Sequence, residues 1–160
     1  MTTSPAAAPA WLSHDEMRGW RAFAEVNHYL MAALEADLAP HGLSFGDYEV
    51  LVNLSEADRT RLRMCDLADR LGLSPSGLTR RLNGLVKAGY VARQPSRDDG
   101  RVTLATLTAA GLAAMRNASA DHLASVRRHL LDHLDGEQIK VLGDIFIAVG
   151  RALGRTTSIA

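Results

Sequence analysis

The chain has 160 residues, of which 47% are hydrophobic and 22% charged, a globular composition that excludes a disordered chain. Its single cysteine excludes an internal disulfide and a cysteine-based zinc cage. No apolar run approaches the roughly 20 residues that cross a bilayer, and the N-terminus lacks the pattern of a signal peptide. We therefore expect a cytoplasmic protein with no membrane partner and no cofactor.

The charge is unevenly distributed, although the whole chain has a net charge of zero. Residues 59–101 contain ten Lys/Arg against four Asp/Glu, a local charge of +6, and the other acidic residues lie mainly on either side. A basic middle between acidic ends is typical of a DNA-reading module that lies between two segments that do not read DNA.

Helix signals dominate the N-terminal part. The Pro/Ala/Ser/Thr-rich residues 1–11 are expected to form a disordered tail. Ser13 and Glu16 have the spacing of a capping box, in which a hydroxyl and a carboxylate satisfy free N–H groups reciprocally. They predict a long helix with an apolar stripe, which Pro40 and Gly42 end.

Shorter elements follow. Ser44 predicts the cap of a helix over 45–54, and the polar residues 56–61 predict a loop. Residues 62–64 suit a short strand, and residues 66–71 a short helix.

A tight turn then leads into a longer helix. Gly72 suits the positive φ past a helix end, while Ser74 and Pro75 have N-cap and first-turn chemistry. The helix should run to Ala88 and stop at Gly89. A short helix, a three- or four-residue turn and a longer helix define the helix-turn-helix.

After this helix the spacing of the apolar residues changes from the 3.6-residue period of a helix to the two-residue period of a strand. Residues 90–93 and 102–107 are strand-like, and the Pro/Asp/Gly-containing residues 95–100 predict the turn of a β-hairpin. Thr108 should cap a long helix to about Leu134, with apolar residues such as Leu123 facing inward. A second capping-box pattern beginning at Asp135 opens a last helix through Leu153, with apolar residues such as Phe146 along one side.

The longer helix has the faces that a recognition helix needs. At about 100° per residue, Leu78, Leu82 and Leu85 share one side. The residues on the opposite side and flanks, predicted to contact DNA, are Ser76, Gly77, Thr79, Arg80, Arg81, Asn83 and Lys87. Ser76 and Arg80 are expected to reach base edges, and the other polar residues to hold phosphates. The alternative is an ordinary surface helix whose arginines favour solubility.

Three short motifs resemble the MarR family of bacterial transcription factors. They are Gly89–Arg93 (a G-φ-V-x-R strand), Asp99–Arg101 (a D-x-R wing element) and Leu107–Gly111 (an L-T-x-x-G helix opening). Residues 67–71 and 74–80 are similar to its helix-turn-helix. The resemblance extends by element order over about residues 12–155. It implies a mainly α fold with a small β wing, a winged helix-turn-helix flanked by dimerisation helices.

The resemblance also implies roles in the wing. Arg101 falls on the wing arginine that lies along the minor groove, and Asp99 on the aspartate that orients it. Many family members have a second basic residue where this chain has Gly100, and Arg97 in the turn could compensate. The alternative for Asp99 and Arg101 is a salt bridge that only shapes the hairpin.

The apolar stripes of the N- and C-terminal helices indicate that the chain associates with another protein chain. These stripes exceed what so small a DNA-binding unit can cover, and a second copy would place two recognition helices on a palindrome. We expect residues 12–43 and 108–155 to dimerise and residues 44–107 to bind double-stranded DNA. The resemblance implies the same homodimer, usually a repressor.

Other features suggest regulation less directly. The family often binds a small phenolic or anionic effector, for which Trp20, His28 and Tyr48 are candidates, although core packing also explains them. Cys65 is interpreted as a half-buried substitute for a capping serine, with redox sensing as the alternative. The candidate metal ligands, for which a solvated surface is the simpler explanation, are His122, His129 and His133.

The sequence thus predicts a ligand-responsive DNA-binding regulator. The alternatives are a winged-helix protein-interaction module without DNA readout and a metal- or redox-responsive member of the same family. An enzyme is not expected, because no Ser/His/Asp set, phosphate loop or suitably spaced carboxylate pair occurs in the sequence.

Overall fold

The computed structural model describes residues 11–96 and 99–154. Within these residues the chain is mainly helical and carries one small sheet, as the sequence predicts. The helices and strands are α1 His14–Leu38, α2 Phe45–Ser55, β1 Arg61–Arg63, α3 Met64–Leu71, α4 Pro75–Lys87, β2 Val91–Pro95, β3 Thr103–Leu107, α5 Ala109–His129 and α6 Gly136–Ala152. None of the helices in the described part is both long and apolar enough to pass through a membrane.

Side-chain caps fix most helix starts. Ser13 accepts a hydrogen bond from the Glu16 N–H, and the Glu16 carboxylate accepts one from the Ser13 N–H, so the predicted capping box is confirmed. The bond that the Glu16 carboxylate accepts from the Ser13 N–H, followed by its interaction with the Ser13 hydroxyl, lowers the pKa of Glu16. Reciprocal boxes open α2 at Ser44 and α6 at Asp135, and Thr108 caps α5. Each cap satisfies N–H groups that the helix itself leaves unpaired.

The sheet is antiparallel, in the order β1-β3-β2. Arg63 lies opposite Leu104, and Arg93 opposite Ala105. β2 extends through Pro95, which the sequence placed in the turn, because proline is tolerated at a sheet edge that needs no further N–H donor. The central strand β3 therefore joins the segment before the helix-turn-helix to the hairpin after it.

Two helix boundaries differ from the predictions by more than one residue. α3 begins at Met64 rather than Asp66, directly after β1. α5 ends at His129 rather than near Leu134, because Leu130 leaves the helical region with φ −136° and ψ −64°. A 3-10 turn, Leu131–His133, follows, so His129 and His133 are not one turn apart on a single helix.

A polar cluster joins α1 to α5. Asp37 Oδ2 accepts hydrogen bonds from Ser125 Oγ at 2.5 Å, Arg128 Nη2 at 2.7 Å and His129 Nε2 at 3.0 Å. The bond from Ser125, followed by those from His129 and Arg128, lowers the pKa of Asp37 below its ordinary 3.8. The carboxylate therefore stabilises the junction in its charged form.

The core lies between α2, α3, α4 and the sheet. Its fully buried leucines are Leu38, Leu51, Leu54, Leu67, Leu78 and Leu82. α6 contributes no buried residue. Apolar side chains remain exposed on the terminal helices, including Trp20 (57%), Phe146 (44%) and Leu123 (63%). Leu123 was predicted to face inward, which is wrong for the isolated chain.

Candidate nucleic-acid interface

The helix α4 has one buried face and one exposed polar face. Leu78, Leu82 and Leu85 are buried in the core, as predicted. The exposed residues among those predicted to contact DNA are Ser76, Thr79, Arg80, Asn83 and Lys87. They form a polar surface with two cations and no carboxylate along the helix.

The first turn of α4 is fixed by its cap. Gly72 has φ 65°, the left-handed conformation predicted for it, and ends α3. Ser74 Oγ accepts a hydrogen bond from the Gly77 N–H at 3.1 Å and lies 3.2 Å from Ser76 Oγ. The Thr79 hydroxyl donates to the Pro75 carbonyl at 2.9 Å. The helix N-terminus, which carries a partial positive charge, is thus held rigidly at the exposed surface.

Arg81 differs from its neighbour Arg80. Its guanidinium occupies the space beside Gly46 of α2, which a Cβ at Gly46 would fill. Burial raises the pKa of the nearby Glu49, and the positive charge of Arg81 opposes that shift. The structure therefore brings Arg81 against α2 and leaves it apart from the exposed face that carries Arg80.

Arg93 has a structural role that the sequence did not suggest. Its Nη2 donates to the Thr79 carbonyl at 2.8 Å, which fastens β2 to α4. Its Nε is buried and has no hydrogen-bond partner within the described residues. The sequence identified Arg93 only as part of the Gly89–Arg93 motif. A motif of neighbouring residues does not show that one of them contacts a distant helix.

The base of the hairpin is tied to α5 through Thr108. Its hydroxyl donates to the Gly89 carbonyl at 2.7 Å, lies 3.1 Å from the Tyr90 carbonyl, and accepts from the Gly111 N–H at 3.0 Å. Gly111 is buried. A Cβ there would overlap the Tyr90 carbonyl oxygen, so only glycine fits. These contacts explain the threonine and the glycine of the Leu107–Gly111 motif.

The tip of the wing carries Asp99 and Arg101, both exposed. Asp99 Oδ1 accepts from the backbone N–H of Arg101 at 3.0 Å, so it sets the backbone of the arginine rather than its guanidinium. No ion pair joins the two side chains in the described part of the wing. Gly100 is exposed between them. Arg97 lies outside the described residues.

The predicted effector residues do not converge within one chain. Trp20 is exposed on α1 and packs near Phe23, with ring centroids 6.1 Å apart. His28 lies on the same helix against Tyr29. Tyr48 is buried in α2, and its hydroxyl donates to Ser119 Oγ at 3.1 Å.

The three histidines considered as metal ligands lie in different surroundings. His122 packs against Tyr48 with ring centroids 4.5 Å apart, and burial lowers its pKa. His129 binds Asp37, and His133 is exposed in the 3-10 turn. Residues 11–96 and 99–154 contain no group of three or more side chains that could hold a metal ion.

The interpretation of Cys65 as a half-buried cap is wrong. The thiol is exposed, the N-cap of α3 is Arg63, and neither residue makes a side-chain cap bond. Cys65 Sγ instead lies 3.4 Å from Asp66 Oδ1.

Comparison with known proteins agrees with this geometry. Residues 41–102, which include the helix-turn-helix and the hairpin up to the residue before β3, match the model of the MarR family. The HTH-type transcriptional repressor YetL of Bacillus subtilis is 30% identical over 125 residues, which cover 76% of this chain and 72% of YetL. The chain belongs to the MarR family of transcriptional regulators. Its winged helix-turn-helix, predicted from the sequence, is thereby confirmed.

Two solved MarR-family structures from Streptomyces coelicolor extend the likeness over nearly the whole chain. AbsC is 40% identical with a TM-score of 0.86, over 91% of this chain and 98% of AbsC. Sco3205, solved in complex with DNA, is 32% identical with a TM-score of 0.88, over 96% of this chain and 97% of Sco3205. The terminal helices of this MarR-family chain therefore belong to the family fold as well as its winged helix-turn-helix.

Proposed function

We propose that this MarR-family chain is a ligand-responsive repressor that binds a palindromic operator in double-stranded DNA as a homodimer. The observation that carries the proposal is the exposed polar face of α4 beside the arginine-bearing wing. The relative Sco3205, solved in complex with DNA, supports the same partner. The proposed activity is regulatory and involves no chemical step.

Each exposed residue has a proposed role. Ser76 and Arg80, near the N-terminus of α4, contact base edges, because residues in that part of a recognition helix reach deepest into the major groove. An arginine grips O6 and N7 of guanine in a bidentate way. Thr79, Asn83 and Lys87 contact phosphates. Because Gly77 has no side chain, it allows the backbone of α4 to approach the DNA.

The two remaining arginines take different proposed roles. Arg101 enters the minor groove, where negative potential attracts guanidinium groups, and Asp99 holds its backbone. Arg81, which lies against Gly46, fixes the angle of α4 to α2 instead of contacting DNA. The DNA-binding part is then residues 44–107.

The terminal helices supply the proposed dimer interface. Residues 12–43 and 108–155 contain α1, α5 and α6, on which the large exposed apolar side chains concentrate. Exposed apolar surface of this extent is typical of an interface. A two-fold axis through it would present two copies of α4 about 34–36 Å apart, one turn of the duplex.

A small phenolic or anionic effector would act between these two parts. The α2–α5 junction supports this proposal, because His122 there has a buried Nδ1 with no hydrogen-bond partner within the described residues. Its ring lies between Tyr48 and Phe45, with centroids 4.5 and 6.0 Å away. Because that nitrogen is buried, a phenol or carboxylate would reach it only where the junction opens, and would then supply its missing hydrogen bond.

Selection of bound duplexes from a random DNA pool tests the function. We expect the wild-type chain to enrich one palindrome, and Arg80→Ala combined with Arg101→Ala to abolish the enrichment. A control with Arg116→Ala and Lys140→Ala removes two exposed cations from α5 and α6 and should retain it. If the first double variant still enriches the palindrome, the assigned face is wrong. If the wild type enriches nothing, a protein-interaction module becomes the better account.

A further inference from the structure

A cleft of about 500 Å³ opens between the start of α3, the helix α4 and the strands of the wing. Within the described residues, Arg63, Arg93 and Arg101 line it together with Thr79 and Cys65, and none of these lining residues carries a carboxylate. Three arginines from three different segments thus line one cavity.

These arginines differ in how firmly they are held. Arg93 is fixed by its hydrogen bond to the Thr79 carbonyl and forms the inner wall. Arg63, at the end of β1, and Arg101, at the wing, are exposed, and neither forms an ion pair within the described residues. Like charges around one cavity repel one another, so a bound anion would lower the electrostatic energy of the cleft.

The position of the cleft indicates which anion it binds. The proposed function, on which this inference rests, places α4 in the major groove and the wing in the adjacent minor groove. One phosphodiester backbone separates two such grooves, and the cleft lies between the two elements. Planar guanidinium groups match phosphate oxygens bidentately.

We propose that the cleft binds a backbone phosphate of duplex DNA. Arg63 contacts the phosphate oxygens, Arg101 bounds the cleft on the side of the minor groove, and Arg93 is a positioning residue that holds the wing at the correct distance from α4. Arg63 thereby becomes a DNA-contacting residue outside both the recognition helix and the wing. Cys65 lies at the same cleft, so its exposed thiol reports on occupancy.

Methylphosphonate scanning tests the contact directly. In the duplex recovered from the random pool, each phosphate in turn is replaced by an uncharged methylphosphonate, and the Kd is measured for each duplex. Besides the phosphates that Thr79, Asn83 and Lys87 contact, we expect one position per half-site, the phosphate in the cleft, to weaken wild-type binding about tenfold, the loss typical of a charge-assisted hydrogen bond. With Arg63→Gln that position should lose its effect, since non-additivity identifies interacting groups. Arg116→Gln removes an exposed cation of α5 outside the DNA-binding part, changes none of the apolar side chains of the proposed interface, and should retain it.

Two further readouts do not depend on the scan. Arg63→Gln should weaken all duplexes by a similar factor and reduce the salt slope of log K by about 0.9 for each lost phosphate contact. Bound duplex should slow alkylation of Cys65, the sole cysteine, by iodoacetamide. Because Arg63 is exposed, the thermal unfolding of Arg63→Gln should match that of the wild type.

The outcomes separate this inference from the proposed function. If Arg63→Gln keeps the wild-type Kd, salt slope and methylphosphonate pattern while the Arg80/Arg101 double variant loses binding, the cleft assignment is wrong and the DNA-binding function stands. Protection of Cys65 by inorganic phosphate, with no duplex position sensitive to Arg63, also overturns it. A wild-type chain that binds no duplex overturns both.

Discussion

Replacing Gly111 with alanine should separate the wing from α5. A Cβ at this position would overlap the Tyr90 carbonyl oxygen and come within 2.9 Å of Leu107 Cδ1. The carbonyl is held in place, because it accepts from the Thr108 N–H at 3.0 Å and lies 3.1 Å from the Thr108 hydroxyl. The start of α5 must therefore move away from the base of the hairpin.

Two opposing contributions determine how much Gly111→Ala changes the free energy of unfolding. Overpacking in a well-packed site costs about 1–3 kcal/mol, occasionally more. Alanine is a better helix former than glycine by up to about 1 kcal/mol. Since the obstacle is backbone rather than a flexible side chain, we expect Gly111→Ala to lower the free energy of unfolding by about 2 kcal/mol, or the Tm by about 4–8 °C.

Gly84 offers a matched control within α4. A Cβ there meets nothing within 4 Å, so Gly84→Ala should stabilise the chain by about 0.5–1 kcal/mol. Urea unfolding of both variants at one fixed protein concentration checks the prediction, because an associating chain has a concentration-dependent stability. If Gly111→Ala is as stable as Gly84→Ala, our explanation of the glycine in the Leu107–Gly111 motif fails.

Three other perturbations test separate parts of the account. Arg80→Ala should relax base preference at one position per half-site, whereas Lys87→Ala should weaken all duplexes about equally; equal losses across sequences for both would refute the role assignment. Asp37→Asn should lower the free energy of unfolding at pH 7, because the pKa of Asp37 is depressed and its stabilisation is present above the ordinary 3.8. That stabilisation disappears as the pH falls through the lower folded-state pKa. In urea unfolding between pH 2 and 7, the difference in the free energy of unfolding between wild type and Asp37→Asn should therefore vanish at the acid end. A difference that stays constant with pH would contradict this role of Asp37. Phe146→Asp, which places a charge on the exposed apolar surface of α6, should give a monomer at micromolar concentration in analytical ultracentrifugation. A variant that sediments as the wild type does would show that the interface lies elsewhere.

Local chemistry explains why much of the fold could be predicted. Ser13, Ser44 and Ser74 cap helices through bonds to residues three positions away, and Gly72 adopts its positive φ for steric reasons of its own backbone. The inward face of α4 follows from the spacing of its leucines. All these features depend on neighbours in the sequence, so periodicity and residue type suffice.

The features that were missed depend on contacts between distant segments. Arg80 and Arg81 are chemically identical, and only the space beside Gly46 in α2 distinguishes them. The cluster on Asp37 and the tie from Arg93 to α4 likewise need the packed structure. Leu123 was predicted to face inward because a helical period identifies an apolar side but not its partner.

Binding of the selected palindrome and of a shuffled duplex of the same composition, measured side by side at physiological salt, tests the central claim most directly. The account predicts two chains per palindrome and a Kd at least about 10³-fold lower for the palindrome than for the shuffled duplex, the range typical of specific regulators. Equal affinity for the two duplexes, or one chain per palindrome, would contradict it.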